Sequence, residues 1–241
     1  SYWLFYGQWV RFFISGLSST LRSLPRMNNQ LLKALCLGVV LALSACQSTY
    51  YSAWEKLGVE KRDILVDRVE DARDSQTEAQ EQFSSALAEF SALINFDGGE
   101  LEDVYDNLKG QYDDSESAAA AVTKRIDKVE SVAEALFAEW KTELDLYTNA
   151  NLQRDSERKL RDTKRQYANM LKAMRKVESS MPPVLDALQN NVLYLKHNLN
   201  ASAVGALQGE LNVIRKDVNR LVSEMNEAIK QSDAFIQSMQ G

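Results

Sequence analysis

The sequence has few of the residues that most often build reactive or metal-binding sites. It contains two cysteines and one histidine among 241 residues. Because His197 is the only histidine, one chain cannot form a histidine-based catalytic triad or a multi-histidine metal site. Cys36 lies inside an apolar run and Cys46 follows the end of that run. If the run is a cleaved export signal, its removal leaves a single sulfur, too few for a disulfide or a thiolate metal site.

The glycine patterns that hold phosphates are also missing. Neither a Gly-x-x-x-x-Gly-Lys-Ser/Thr loop nor a Gly-x-Gly-x-x-Gly turn occurs, so ATP hydrolysis and dinucleotide chemistry lack their phosphate sites. The acidic group Asp113, Asp114 and Glu116 does not have the spacing of an EF-hand, and we interpret it as a solvated helix end rather than a calcium site. We therefore predict no catalytic residue, no cofactor and no metal.

Charge divides the chain into two unequal parts. Residues 1–45 hold four basic and no acidic side chains, so 24 basic and 34 acidic residues remain, a net charge of −10 for the rest. Such a surface is repelled by nucleic-acid phosphates, and we predict no nucleic-acid partner.

A bacterial export signal is predicted at residues 27–45. Its polar start at Met27 is followed by an apolar run of about half the ~20 residues needed to cross a bilayer, which favours a cleaved signal over a permanent membrane helix. The run ends in Leu43-Ser44-Ala45-Cys46, which resembles a lipobox, so cleavage is expected between Ala45 and Cys46, with lipid on Cys46. The alternative is an ordinary signal peptide with an incidental cysteine.

Residues on either side of this signal complete the predicted organisation. Residues 1–26 look like translated upstream sequence; the alternative, a membrane helix, is interrupted by Gln8 and Arg11. Residues 46–52 form a short tether. Gln47 stands where an aspartate marks inner-membrane retention in Gram-negative lipoproteins, which by resemblance implies the periplasmic face of the outer membrane.

An all-α rod domain is predicted for residues 53–241. Only three prolines and ten glycines occur, and a capping-box pattern at Ser52–Glu55 predicts the start of the first helix. Turns are predicted at 97–100, 149–151 and 198–200. The apolar seams alternate in steps of three and four. They run through Leu65, Val69, Ala72, Gln76, Ala79, Phe83, Ala86, Phe90 and Leu93; Leu101, Val104, Leu108, Val122, Ile126, Val129, Ala133, Leu136, Trp140, Leu144 and Tyr147; Leu160, Thr163, Tyr167, Met170, Met174, Val177, Met181, Val184, Leu188, Val192, Leu195 and Leu199; and Leu207, Leu211, Ile214, Val218, Leu221, Met225, Ala228, Ser232, Phe235 and Met239.

Four helices of this length, on the order of 60 to 75 Å each, predict an elongated antiparallel bundle with coiled-coil-like seams. A kink is expected near Gly110–Ser117, and a kink or short interruption at Pro182-Pro183. Gly205 and Gly209 are interpreted as sites of close helix packing. A parallel homo-oligomeric coiled coil is the less favoured alternative, and dimerisation along the rod stays open.

A basic stripe on the third helix is the main candidate contact surface for a partner or a lipid. It lies opposite the apolar seam at helical spacing and consists of Arg154, Arg158, Arg161, Arg165, Lys172 and Arg175. The interpretation we favour at this point is purely structural: the stripe pairs with acidic residues of the first helix. These are Asp63, Asp67, Asp74, Glu78 and Glu81.

Three segments of the chain resemble an uncharacterised proteobacterial lipoprotein family, domain of unknown function 2959. They are Asn95–Leu101, Ala133–Trp140 and Leu195–Ala201. The resemblance covers nearly all of the mature chain and implies a helical envelope protein; it implies no catalytic residue.

Our leading hypothesis is a non-enzymatic, periplasm-facing lipoprotein that acts as a structural or protein-binding rod. Its partners would be the membrane, through the lipid on Cys46, and an unknown envelope protein. The rival is a membrane- or envelope-polymer-binding module that uses the basic stripe. A carboxylate-based hydrolase is the third reading, and it requires a concave pocket with paired carboxylates.

Overall fold

The described part of the chain folds as four long α-helices. The structure, a computed structural model, describes residues 60–94, 101–198 and 200–240, all within one compact unit, Leu57–Gly241. The helices are α1 (Lys61–Ile94), α2 (Leu101–Glu143), α3 (Ala150–His197) and α4 (Ala201–Gln240), and a 3₁₀ turn, η1 (Leu144–Leu146), follows α2. The predicted all-α class is confirmed. The predicted signal, lipobox and capping box, and the turn at 97–100, lie outside the described residues.

Ion pairs between helices establish the antiparallel order. Lys61 at the start of α1 pairs with Glu139 near the end of α2, with Nζ and Oε1 2.8 Å apart. Arg73 of α1 reaches Asp233 near the end of α4 at 3.2 Å. Consecutive helices pack together, and α1 also packs against α4. The four helices therefore form a closed bundle, in which α1 and α3 lie on one diagonal.

The predicted seams form the core. Every predicted seam residue of α1 is buried, and so is every one of α4. The prediction that Tyr147 belongs to the buried seam is wrong, since 42% of the residue is exposed. The reason is that α2 ends at Glu143 and the chain then turns through η1. Leu144 is therefore the last buried residue of this seam.

The ends of α3 follow the predicted breaks. Asn149 caps its start, because its Oδ1 accepts hydrogen bonds from the amides of Asn151 and Leu152 at 2.9 and 3.4 Å. His197 is its last residue and is exposed. At the C-cap, the amide of Asn198 donates to the carbonyl of Leu195 at 2.9 Å.

Two predicted irregularities do not interrupt their helices. α3 runs through Pro182 and Pro183 without a break, and α2 runs through the stretch 110–117. Both proline rings lie on the exposed side of α3, so the carbonyls that lose an amide donor face solvent, where water can satisfy them. In α2, the buried hydroxyl of Ser115 donates to the carbonyl of Gln111 at 2.7 Å.

The prediction that Gly205 and Gly209 allow close helix packing is wrong. Both glycines are exposed, and a Cβ added at either position would have no atom within 4 Å. The spacing of four residues suggested a packing contact, but both positions fall on the outer face of α4. No neighbouring helix needs their small size.

Replacing these glycines with alanine should stabilise the protein. Gly205→Ala and Gly209→Ala should each raise the free energy of unfolding by about 0.5 to 1 kcal/mol, because alanine loses less backbone entropy in a helix. Denaturant unfolding measures the change. Ala206→Gly, on the same exposed stretch, is the reverse control and should lower the free energy of unfolding by a similar amount.

A buried amide of α1 lacks a hydrogen-bond partner in the described part of the chain. Gln76 of α1 is fully buried, and neither its amide oxygen nor its amide nitrogen has a hydrogen-bond partner within the described residues. The flanking polar contacts between α1 and α4, Arg73 with Asp233 and Gln80 with Asn226, are made without it. An unpaired buried amide is destabilising.

Gln76→Met should therefore increase stability. Methionine has nearly the same shape and removes the unpaired amide, so we expect the free energy of unfolding to rise by about 1 to 2 kcal/mol. Gln208→Met, at an exposed site of α4, should change it by less than about 0.5 kcal/mol. A loss of stability in Gln76→Met would mean that the amide is hydrogen-bonded in solution.

Candidate functional site

Five members of the predicted stripe project from the outer face of α3. Arg154, Arg158, Arg161, Arg165 and Lys172 are all exposed. The side chains of Arg158, Arg161 and Arg165 are 67%, 65% and 73% accessible. The opposite face of α3 carries the core residues Leu160, Met170 and Met174. The predicted orientation of the stripe is thus confirmed for these five.

The stripe pairs with carboxylates of its own helix. Arg158 contacts Asp155 at 2.6 Å and Arg165 contacts Asp162 at 3.0 Å, while the guanidinium of Arg161 lies 3.7 Å from Glu157. The hydrogen bond from Arg158 lowers the pKa of Asp155 below its ordinary value, with help from the nearby Lys159 charge. Exposed pairs of this kind contribute little to stability. The cations can therefore exchange partners at low cost.

The prediction that the stripe pairs with acidic residues of the first helix is wrong. Asp63, Asp67, Asp74, Glu78 and Glu81 all lie on α1, which is diagonal to α3. Asp74, for example, pairs with Arg73 of its own helix at 2.8 Å. Opposite charges on α1 and α3 do not lead to ion pairs, because the order of the helices in the bundle separates the two charged faces.

Arg175 does not belong to the open stripe. Its guanidinium contacts Asp127 at 2.8 Å, Glu178 at 2.8 Å, and Glu130. Burial by itself would lower the pKa of Arg175, but the hydrogen bonds that its guanidinium donates to Glu178, Glu130 and Asp127 outweigh it and raise the pKa. Asp127 and Glu130 belong to α2, so Arg175 links α2 to α3. It is a structural contact rather than a free surface cation.

A cavity of about 510 Å³ lies at the end of the bundle where α1 begins. All four helices contribute to it. Its charged lining residues are Glu60, Lys61, Arg62, Glu139, Glu143, Lys159 and Asp162, and the others are Leu136, Trp140, Thr163, Gln166, Ser238 and Met239. Sequence reasoning missed this cavity because its walls come from four separate segments.

Several polar groups around the cavity already have partners. The Glu139 carboxylate is paired with Lys61, and the indole nitrogen of Trp140 donates to the Ser156 hydroxyl at 2.8 Å. In the described part of the chain, no three His, Cys, Asp or Glu side chains are grouped so as to hold a metal ion. The carboxylates that a hydrolase would require are present, but Glu139 forms an ion pair with Lys61.

An aromatic cluster lies within about one helical turn of this cavity. The ring of Tyr167 meets Phe137 edge-on at a centroid distance of 5.3 Å and is tilted against Phe235 at 6.2 Å. Its buried hydroxyl has no hydrogen-bond partner in the described residues. Burial raises the pKa of Tyr167, and the charges of Glu130 and Glu134 add to the effect. The phenol is therefore held neutral as part of the core.

The turn between α2 and α3 exposes a small apolar patch. Leu146 is 75% exposed, Leu152 57% and Tyr147 42%. These three residues lie beyond the last buried residue of the α2 seam, Leu144. One feature of the sequence indicates this patch. Leu146 and Tyr147 are adjacent, so they cannot both belong to a seam with steps of three and four, and at least one of them is expected to leave the buried face. We refer to Leu146, Tyr147 and Leu152 as the hairpin patch.

Removing Arg175 should weaken the bundle, whereas removing an outer cation should not. Arg175→Gln leaves three carboxylates without their shared cation, and we expect the free energy of unfolding to fall by about 1 to 2 kcal/mol at low salt. Arg165→Gln should change it by less than about 0.5 kcal/mol. Denaturant unfolding in 0.05 and 1 M salt checks this, since salt screens such pairs. Equal losses for the two variants would contradict the distinction.

Comparison with known proteins bears on family membership and leaves the activity open. No helix in the described ranges is long and apolar enough to span a membrane. Among curated proteins, no sequence matches the chain. Residues 50–239, which include all four helices except the last residue of α4, match a family described as "Protein of unknown function (DUF2959)". The chain belongs to this family.

Proposed function

We propose that the protein is a lipid-anchored, non-enzymatic binding module of the bacterial cell envelope. In this proposal Cys46 carries the lipid at the periplasmic face of the Gram-negative outer membrane, and the helical bundle extends from it. The observation that carries the proposal is the exposed row of cations on α3. Within the described residues, their ion pairs are short-range ones along the same helix.

The anchor is supported by the sequence alone. An apolar run ends in Leu43-Ser44-Ala45-Cys46, and this pattern provides both a cleavage site and a thiol for lipid attachment. The acidic balance that follows, 24 basic against 34 acidic residues, is suited to a domain held near a membrane by a lipid rather than by charge.

The binding face consists of Arg161, Arg165 and Lys172 in the middle part of the stripe. Each has its charged group in solvent, and the carboxylates beside Arg161 and Arg165 are exposed as well. A partner that brings its own carboxylates can replace those weak local pairs and bind arginine with two parallel hydrogen bonds. The partner that fits is an acidic face of another envelope protein.

Catalysis is the less supported reading. The cavity is lined by carboxylates, but Lys61 Nζ forms an ion pair with Glu139 Oε1 at 2.8 Å. Lys159 and Arg62 add further positive charge to the lining. A carboxyl group that acts as a general acid needs an apolar environment that keeps it protonated near neutral pH. The lining of this cavity carries seven charged side chains instead.

The anchor is tested by mass spectrometry and fractionation of the native protein beside Cys46→Ala. We expect the mature chain to begin at Cys46, to carry diacylglycerol and to fractionate with the outer membrane. Cys46→Ala should be unprocessed or soluble. An intact N-terminus without lipid would overturn the anchor and the location together.

The binding face is tested by crosslinking in the same envelope preparation. The double variant Arg161→Glu, Arg165→Glu should reduce capture of the crosslinked partner by at least about tenfold, because repulsion replaces attraction. Arg215→Glu, Lys216→Glu makes the same charge change on the exposed side of α4 and should leave capture unchanged. Equal capture by both variants would overturn the assignment. Loss of liposome binding with the α3 variant would instead favour the rival, in which the stripe meets lipid.

A further inference from the structure

We propose that the hairpin patch contacts the surface of an anionic phospholipid membrane, so that the bundle stands on the membrane with its α2–α3 end. This inference rests on the proposed anchor at Cys46. It goes beyond that anchor because it assigns a second, non-covalent membrane contact to Leu146, Tyr147 and Leu152. The observation behind it is that exposed apolar side chains and exposed arginines meet at one end of the bundle.

The patch lies at the end of the bundle from which the anchor would extend. Glu60, the first described residue, precedes the Lys61–Glu139 pair that joins the start of α1 to α2. Leu146 follows Glu139 by seven residues, about 10 Å along a helix. Between Cys46 and Glu60 the chain can span at most about 50 Å. That reach is shorter than α3, which has 48 residues and spans about 72 Å.

The chemistry of the patch suits the interface of a bilayer. Two leucines can enter the boundary between headgroups and acyl chains, and a tyrosine favours the headgroup level, where its ring is buried and its hydroxyl stays wet. Arg154 follows within one turn of Leu152 and is exposed. Its guanidinium donates to the side chain of Asn151, a neutral partner. It therefore keeps its full charge for a lipid phosphate.

Local charge favours anionic lipid although the whole chain is acidic. Residues 144–165 hold six Lys and Arg against four Asp and Glu, whereas the chain from Cys46 onward has a net charge of −10. The net charge of this segment is therefore +2. A membrane contact at this end places the positive segment nearest the lipid. Acidic residues farther along the four helices lie beyond a Debye length of about 8 Å, so their repulsion is screened. Of the carboxylates near this end, Glu139 is already paired with Lys61.

The far end of the bundle provides an internal comparison. Leu193 and Tyr194 of α3 are also exposed, at 53% and 41%, and they lie more than 40 residues along α3 from Leu152, about 60 Å away. An end-on contact leaves them in water. A bundle lying flat on the membrane would bring both ends to the lipid, so the two positions discriminate between these arrangements.

A site-specific fluorophore tests the proposal in the full lipidated protein. Cys46 carries the lipid and Cys36 has been removed with the signal, so Thr148→Cys provides a single free thiol for an environment-sensitive NBD label. The protein is placed in vesicles of phosphatidylethanolamine and phosphatidylglycerol. We expect a blue shift and quenching by spin-labelled lipid at position 148, and an aqueous spectrum for the Leu193→Cys label.

Matched variants show whether the patch itself makes the contact. Leu146→Ser, Leu152→Ser should reduce the lipid quenching at position 148 at least fivefold, and Arg154→Glu should reduce it in anionic vesicles. Leu193→Ser, Val213→Ser removes two other apolar side chains, each 53% exposed, and should have no effect. Unfolding midpoints confirm that all variants are folded.

Each remaining outcome has one meaning. If mass analysis finds lipid on Cys46 but the label at 148 stays aqueous, the membrane contact is wrong and the anchor stands. If both labels are quenched equally, end-on contact is wrong. If the label at 148 is shielded without vesicles, another part of the chain covers the patch, and the proposal fails. If Cys46 carries no lipid, the anchor fails and this inference fails with it.

Discussion

Burial of one apolar stripe along each helix is the interaction that holds this protein together. The largest fully buried side chains, among them Phe83, Phe90 and Phe235, occupy these stripes, and each contributes roughly 1.5 to 3 kcal/mol when removed from water. Each helix must therefore contact two neighbours over its length. With short turns between consecutive helices, the antiparallel closed bundle satisfies that requirement, and it places α1 and α3 on a diagonal.

The diagonal decides which charges can meet. Cations on the outer face of α3 are too far from the carboxylates of α1, so they bind carboxylates one turn away on α3. Arg175, which lies toward α2, binds carboxylates of a neighbouring helix instead. The same residue type thus serves as a structural link in one position and as an open contact in another. The direction in which each arginine projects from α3, rather than its charge, decides which of the two roles it has.

The features with functional potential concentrate at one end of the bundle. The cavity, the Trp140–Ser156 hydrogen bond and the hairpin patch all lie near the start of α1. At this end α1 begins and α4 stops, while α2 and α3 continue into their hairpin. Within the described residues, α2 and α3 alone form this hairpin, and its leucines are exposed. A domain tethered by its N-terminal lipid would present this end to the membrane.

The sequence by itself determined the helical class, the approximate positions of the breaks on either side of α3 and most core residues of the described ranges, because the period of apolar residues directly reports the buried face of a helix. It also located the stripe on the outer face of α3. Only the tertiary structure decided that α1 does not meet α3, that Arg175 turns inward, that Gly205 and Gly209 face solvent and that Tyr147 leaves the core. Each of these depends on which helices are neighbours and where each one ends. Periodicity within a single helix carries no information about either.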